Sequence, residues 1–146
     1  MKKIFYIFVS SLIMLVGCTK DSGRIKDQLV GDWHYTAEES EVKEDIWISF
    51  AQDGTFQMYQ MIGEGAYWST TGKYLYDEET QELTGVYSDK YPWKYSYKIS
   101  FLKGALVMTA VELTTYSVTY TREDIPAQVR EKSLPLTKAE QVERYL

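Results

Sequence analysis

The stretch Ile-Trp-Ile-Ser-Phe-Ala-Gln-Asp-Gly-Thr-Phe-Gln-Met-Tyr, residues 46–59, decides the fold. Apolar side chains recur at every second position on both sides of the central Asp53-Gly54 pair. A period of two is typical of a strand with one buried face, and an Asp-Gly pair between two such runs predicts a tight hairpin turn. We therefore expect two antiparallel strands whose even-numbered residues face a common core.

The same alternation continues in both directions, over residues 28–123. Turn residues interrupt the alternation at regular intervals. Their spacing, roughly 12 residues per strand and turn, predicts about eight strands. This spacing is typical of an antiparallel sandwich or of an up-and-down barrel. The short connections favour pairing between strands that are neighbours in sequence.

The pattern changes after Glu123, so residues 124–146 are expected to form a C-terminal helical extension. Asp124 and Pro126 fit the start of one short helix. Thr137 and Glu140 fit a capping box for a second, with Ala139, Val142 and Leu146 on one face. Helices this short are marginal alone and need a surface on which to pack.

The N-terminus carries targeting information. Lys2 and Lys3 precede the apolar stretch 4–16, which is too short to span a bilayer about 30 Å thick but fits the apolar region of a signal peptide. Gly17-Cys18 follows at once, and this order of features resembles the lipobox of bacterial lipoproteins. The alternative is an ordinary signal peptide followed by a cysteine that has no such role.

The lipobox resemblance implies that residues 1–17 are a signal peptide removed before Cys18. It implies lipidation of Cys18 on the sulfur and on the new amine, and several acyl chains anchor a protein durably. Residues 18–27 would be a polar tether to the membrane of the bacterial cell envelope. Thr19, in place of an aspartate, favours the outer membrane, and the periplasmic and surface faces both stay open.

A second resemblance covers residues 28–123. Gly31-Asp32-Trp33 on the first strand, Asp53-Gly54-Thr55-Phe56 in the hairpin and Tyr120-Thr121-Arg122 on the last strand occur in the order found in lipocalin-like lipoproteins of Bacteroidetes-type bacteria. The resemblance implies a small calycin-type β-barrel. It also implies that Trp33 plugs the closed end of the barrel and that Arg122 packs over it, both as structural residues. The chain is shorter than typical lipocalins and has a single Cys.

An aromatic stripe is the candidate ligand-binding site. Its members fall on the apolar parity of their strands, and apolar walls with a few hydroxyls are typical of small-molecule sites. The alternative is that these side chains simply fill a small barrel. The excess of tyrosine favours a small amphipathic ligand, since a buried phenol needs a hydrogen-bond partner. The predicted lining residues are Phe56, Met58, Tyr74, Tyr76, Tyr95, Tyr97 and Tyr120.

Little in the chain suggests catalysis. His34, the single histidine, follows Trp33 and should point outward as a solvated strand residue; a general base is the less favoured interpretation. The acidic residues at 38–45 lack the spacing of a calcium loop and are expected to be a solvated connection. We expect no metal, no cofactor and no enzymatic activity. Trp47, Tyr59, Trp68 and Trp93 are expected on the outside of the barrel.

Composition limits the function further. The 146 residues carry a net charge of −5, which gives no support for a nucleic-acid binder. The sequence thus predicts an all-β, lipid-anchored envelope protein that binds a small hydrophobic or amphipathic ligand. The alternative is a non-enzymatic accessory module that docks another envelope protein through the barrel exterior or the C-terminal segment.

Overall fold

A computed structural model describes residues 22–136 and 143–146. Within these ranges the chain forms two helices and nine strands. In chain order they are α1 (Ser22–Leu29), β1 (Gly31–Ala37), β2 (Glu44–Phe50), β3 (Thr55–Ile62), β4 (Trp68–Asp77), β5 (Glu82–Tyr87), β6 (Tyr97–Leu102), β7 (Ala105–Ala110), β8 (Ser117–Arg122), α2 (Ala127–Lys132) and β9 (Leu134–Pro135).

Strands β1 to β8 form a closed up-and-down barrel. Each strand pairs antiparallel with the next one in sequence, and β1 pairs with β8 to close the sheet. The predicted all-β barrel of about eight strands is confirmed, as is a short helix after it. The sandwich alternative is excluded because one continuous sheet returns to its first strand. Strand β9, which the sequence did not predict, pairs in parallel with β4.

The two ends of the barrel differ. Because successive strands run in opposite directions, the turns at 51–54, 78–81 and 103–104 lie at one end, together with α1. The connections 38–43, 63–67, 88–96 and 111–116 lie at the other end, which we call the mouth.

The predicted 46–59 hairpin forms, and its even-numbered apolar residues share one face. Ile48 lies opposite Met58, and Phe50 lies opposite Phe56, so all four side chains face the core. Gly54 adopts φ +84°, a conformation that residues with a side chain rarely take. Each of the even-numbered apolar residues in the hairpin is at most 3% exposed.

A second, smaller apolar cluster lies on the outside of the barrel. Trp47 and Tyr59, on the odd parity of β2 and β3, pack with Ile125 and Val129 beneath α2. This explains how a short helix is held: it covers an outer aromatic pair. Trp68, also expected outside, is half-buried at the start of β4.

The outward placement predicted for Trp93 is wrong. Trp93 is 5% exposed and belongs to the barrel core. Gly85 makes room for it, since a Cβ there would lie 2.1 Å from the indole ring. The connection 88–96 is irregular, so the period-two argument does not apply to its side chains.

Two further expectations differ from the structure. Part of the 18–27 segment expected as a tether is helical, because α1 begins at Ser22. Leu146 is not on a helix, since residues 143–146 are irregular.

Cys18 and the Thr137–Glu140 capping box lie outside the described residues. Among the residues described, no helix has the length and apolar character needed to cross a membrane.

Candidate functional site at the mouth of the barrel

The predicted lining residues face the interior of the barrel. Six of the seven are at most 7% exposed and belong to one core cluster, and Tyr95 is half-buried against it. Their inward orientation is confirmed, whereas their role in ligand binding stays a prediction. The six buried side chains are Phe56, Met58, Tyr74, Tyr76, Tyr97 and Tyr120.

The structure does not bring all seven residues to one place. The Tyr74 hydroxyl donates a hydrogen bond of 2.6 Å to the carbonyl of Ala51, in a turn at the end opposite the mouth. Tyr76 is buried nearer to the acidic turn after β4. Tyr97 and Tyr120, by contrast, belong to a group of tyrosines at the mouth.

Aromatic rings cross the interior in edge contacts. The Phe56 ring lies 5.2 Å from that of Trp93, which in turn lies 6.1 Å from Tyr97. The Tyr97 ring, at the start of β6, lies 6.3 Å from the ring of Tyr95 in the connection before that strand. Edge-to-face pairs stabilise a core beyond the area that they bury. The centre of the barrel is therefore packed with rings.

The mouth is occupied by residues 143–146 of the same chain, which we call the closing segment. Leu146 is 2% exposed and belongs to the barrel core. The Tyr87 hydroxyl donates a buried hydrogen bond of 2.8 Å to the Leu146 carbonyl. The mouth thus holds an apolar side chain together with a polar group that is hydrogen-bonded to a phenol.

Gln60 binds the main chain of the closing segment. Its Nε2 donates to the Glu143 carbonyl at 2.7 Å, and its Oε1 accepts from the Tyr145 N–H at 3.0 Å. Gln60 is fully buried, and a buried amide without partners would be costly. Both of its polar atoms are satisfied by the closing segment.

Arg144 fastens the segment to the rim of the mouth. Its guanidinium donates two hydrogen bonds to the Asp89 carboxylate, one of them at 3.0 Å, and lies 4.3 Å from the centre of the Tyr87 ring. These hydrogen bonds lower the pKa of Asp89 and raise that of Arg144. A bidentate pair of this kind fixes orientation as well as charge.

Tyr145 lies among other tyrosines. Its ring centre is 6.0 Å from that of Tyr35, which is 5.9 Å from Tyr120. Burial raises the pKa of Tyr145, and the neighbouring phenols add to the effect. Burial also raises the pKa of Tyr97, whose hydroxyl has no hydrogen-bond partner in the described part of the chain. These phenols stay neutral donors near pH 7.

Two open grooves lie on the described surface, one along the outer face of β2 to β5 from the 51–54 turn upward and one beside the mouth. The first, of about 550 Å³, is lined by polar and apolar residues from Ala51 at the hairpin turn to Thr71 on β4 and Lys90 in the connection after β5. The other, of about 380 Å³, runs along Ser69, Leu136 and Arg144. Neither groove is lined by Tyr97 or Tyr120.

His34 lies on the outer face of β1, outside the barrel interior. Its Nδ1 is 2.9 Å from Glu123 Oε2, its Nε2 is 2.8 Å from Asp45 Oδ1, and its ring stacks on Trp47 at 3.7 Å. The predicted outward direction is confirmed, but only 17% of the side chain is exposed, so the expectation of a solvated residue is wrong. The contacts join β1, β2 and the chain entering α2.

The predicted pair at the other end of the barrel is in contact. The Arg122 guanidinium lies 4.2 Å from the centre of the Trp33 ring, and the Trp33 indole N–H donates to the Leu29 carbonyl. In the described part of the chain, no group of three or more His, Cys, Asp or Glu side chains could hold a metal ion.

Sequence reasoning missed Gln60, Tyr87, Asp89 and Arg144. Gln60 has a signal in the sequence, because it falls on the same parity as Phe56 and Met58 and is polar where the strand faces the core. Tyr87 likewise shares the parity of Leu83. Asp89 and Arg144 have no comparable signal, since both lie in irregular segments 55 residues apart.

A scan against protein-family models and searches of curated proteins and of solved structures found no match to this chain.

Proposed function

We propose that this protein is a lipoprotein of the bacterial cell envelope, related to the lipocalin-like group, whose barrel mouth binds a small amphipathic ligand. The lipobox-like order of residues 1–18 supports anchoring through lipid on Cys18, with the outer membrane as the favoured location. The helix α1 then begins only four residues after Cys18, which keeps the barrel close to the membrane.

The occupied mouth carries the proposal for ligand binding. It buries the Leu146 side chain and bonds the attached carbonyl to the Tyr87 hydroxyl. An amphipathic molecule needs the same two things: burial of its apolar body and a hydrogen bond for its polar end. The Tyr97 hydroxyl, which has no hydrogen-bond partner among the described residues, offers such a molecule a second hydrogen bond.

Binding fits the chemistry of the mouth better than catalysis does. Among the described residues, the titratable side chains at the mouth are tyrosines that burial keeps neutral and the paired Asp89 and Arg144. His34 lies on the outer face, with its two nitrogens facing carboxylates. A general base must lie within hydrogen-bond reach of the substrate proton. His34 is on the outer face and its nitrogens contact Glu123 and Asp45, so it joins neighbouring segments of the barrel wall and does not reach a ligand inside the mouth.

A docking module is the second candidate function. Tyr91, on the rim of the mouth, is 61% exposed and lies 5.8 Å from the Arg144 guanidinium. Exposed tyrosine beside arginine is enriched in protein interfaces. A partner protein could contact this rim together with the closing segment.

Native mass spectrometry tests ligand binding on residues 18–146 carrying Cys18→Ser, purified from a bacterial host. A ligand-bound species is expected to disappear when the complex is activated in the gas phase. The same chain with Tyr145→Ala and Leu146→Ala, the mouth-opened variant, is expected to bind the apolar fluorophore N-phenyl-1-naphthylamine saturably. Absence of a bound species, together with no saturable fluorophore binding by either chain, would contradict the proposal.

A further inference from the structure

We infer that the mouth is a peptide-binding site that reads the main chain of an extended segment, with residues 143–146 as the occupant that an external peptide displaces. This rests on the proposed function, which it deepens by naming the ligand class. The ligand is an extended peptide carrying a basic, an aromatic and an aliphatic residue in that order, as Arg144, Tyr145 and Leu146 do.

Gln60 supplies the main-chain contacts. It bonds the carbonyl of one residue and the N–H of the residue two positions later, Glu143 and Tyr145. In an extended chain these two groups lie on the same side, which is how a strand is recognised by its neighbour. Since Gln60 contacts only main-chain atoms here, it accepts any extended peptide and leaves selectivity to the side chains.

The neighbouring residues supply selectivity. Asp89 and the Tyr87 ring receive the guanidinium of Arg144, through two hydrogen bonds and a cation–π contact. Tyr35 packs against the ring of Tyr145, and the barrel core buries Leu146. Acidic, aromatic and apolar surfaces thus follow one another in the order of the three side chains.

The closing segment can leave without opening the barrel. Among the described residues, its main-chain hydrogen bonds run to the side chains of Gln60 and Tyr87, and none runs to the backbone of a strand. The eight-stranded ladder closes through β1 and β8, which the segment does not pair with. Because the segment belongs to the same chain, its effective concentration is high, so an external peptide competes only when the segment is weakened or the peptide is abundant.

The test measures binding of a fluorescein-labelled peptide of residues 140–146 by anisotropy. The mouth-opened variant, which keeps the full length of the chain, should bind it at least about 10-fold more tightly than the parent. Adding Gln60→Met should weaken that binding at least about 10-fold. Gln57→Met, on the opposite face of β3, is the matched control and should leave it unchanged. A peptide with alanine in place of Tyr145 and Leu146 should not bind.

The outcomes separate the inference from the proposed function. A folded mouth-opened variant that binds N-phenyl-1-naphthylamine but not the peptide overturns the peptide inference and leaves ligand binding intact. Binding that is unchanged by Gln60→Met also overturns it. If residues 143–146 of a second copy occupy the mouth, the parent forms a dimer that the free peptide dissociates. That result supports the inference and identifies a second copy of this chain as the source of the peptide.

Hydrogen exchange of the parent chain decides the matter if the mouth-opened variant does not fold. The Tyr145 amide should exchange at least about 10-fold faster than the Ile48 amide in the barrel, because the segment opens locally. Equal protection of the two amides means that the segment leaves only on global unfolding, and this overturns the inference.

Discussion

Arg122 covers Trp33, with its guanidinium carbon 4.2 Å from the centre of the indole ring. The two residues lie directly opposite each other on β8 and β1, the pair of strands that closes the barrel. The guanidinium also donates hydrogen bonds to the carbonyls of Gln28 and Val30, and the indole N–H donates to Leu29. One pair of side chains therefore joins barrel closure to the docking of α1.

Loss of the Trp33 side chain should destabilise the barrel strongly. Trp33 is fully buried, so Trp33→Ala is expected to cost about 3–5 kcal/mol in the free energy of unfolding. Denaturant titration measures this cost. Trp68→Ala, at a half-buried position, is the control and should cost clearly less. A Trp33→Ala variant within about 1 kcal/mol of the parent would show that the closed end does not depend on this ring.

Gly31→Ala should destabilise the same end for two reasons. Gly31 has φ +132°, which side chains disfavour, and a Cβ there would lie 2.3 Å from Arg122 Nη1. Gly104→Ala is the matched control, since Gly104 has φ +82° but nothing within 4 Å of an added Cβ. The control should cost about 1–2 kcal/mol, and Gly31→Ala should cost more. Equal losses would mean that Arg122 moves aside without consequence.

Acid should release the closing segment. Hydrogen bonds from Arg144 lower the pKa of Asp89 below 3.8 in the folded protein. The stabilisation by this carboxylate is thus complete above about pH 4–5 and is lost as the pH falls through the lowered pKa. The Tyr145 amide should exchange faster, relative to the Ile48 amide, at pH 3 than at pH 6. Asp89→Asn should remove this pH dependence; its persistence in that variant would assign the effect to another group.

Tyr67 should ionise late. Its hydroxyl donates to Asp45 Oδ2 at 2.6 Å, and burial together with this carboxylate raises the pKa of Tyr67 to about 12. Its stabilising contribution is therefore complete below pH 10 and is lost as the pH rises towards 12. The difference in alkaline absorbance titration between the parent and Tyr67→Phe measures this transition. Asp45→Asn should move it to lower pH, and an unchanged midpoint would contradict the role of Asp45.

Cys18→Ser should abolish lipid attachment. If Cys18 is the acylated residue, an alkyne fatty acid fed to the bacterial host labels the parent chain and not the variant. A serine hydroxyl is a much weaker nucleophile than a thiolate, which is the physical reason for the expected loss. Thr19→Ser is the control and should be labelled like the parent. Label that persists on Cys18→Ser would place the anchor elsewhere.

The sequence by itself determined the barrel. Period-two alternation and the Asp53-Gly54 turn depend on neighbours in the chain, so the hairpin of β2 and β3, the inward parity of Phe56 and Met58 and the outward direction of His34 could all be predicted. The contact of Trp33 with Arg122 followed from a family resemblance and from parity, because both residues lie on regular strands.

Only the tertiary structure decided what fills the mouth. Residues 143–146 are irregular, and their partners Gln60, Tyr87 and Asp89 are more than 50 residues away in sequence. No local period encodes such contacts, because they join segments that are distant in the chain and depend on the closed barrel to bring them together. The inward Trp93 has the same origin, since it fills the space that Gly85 leaves on a neighbouring strand.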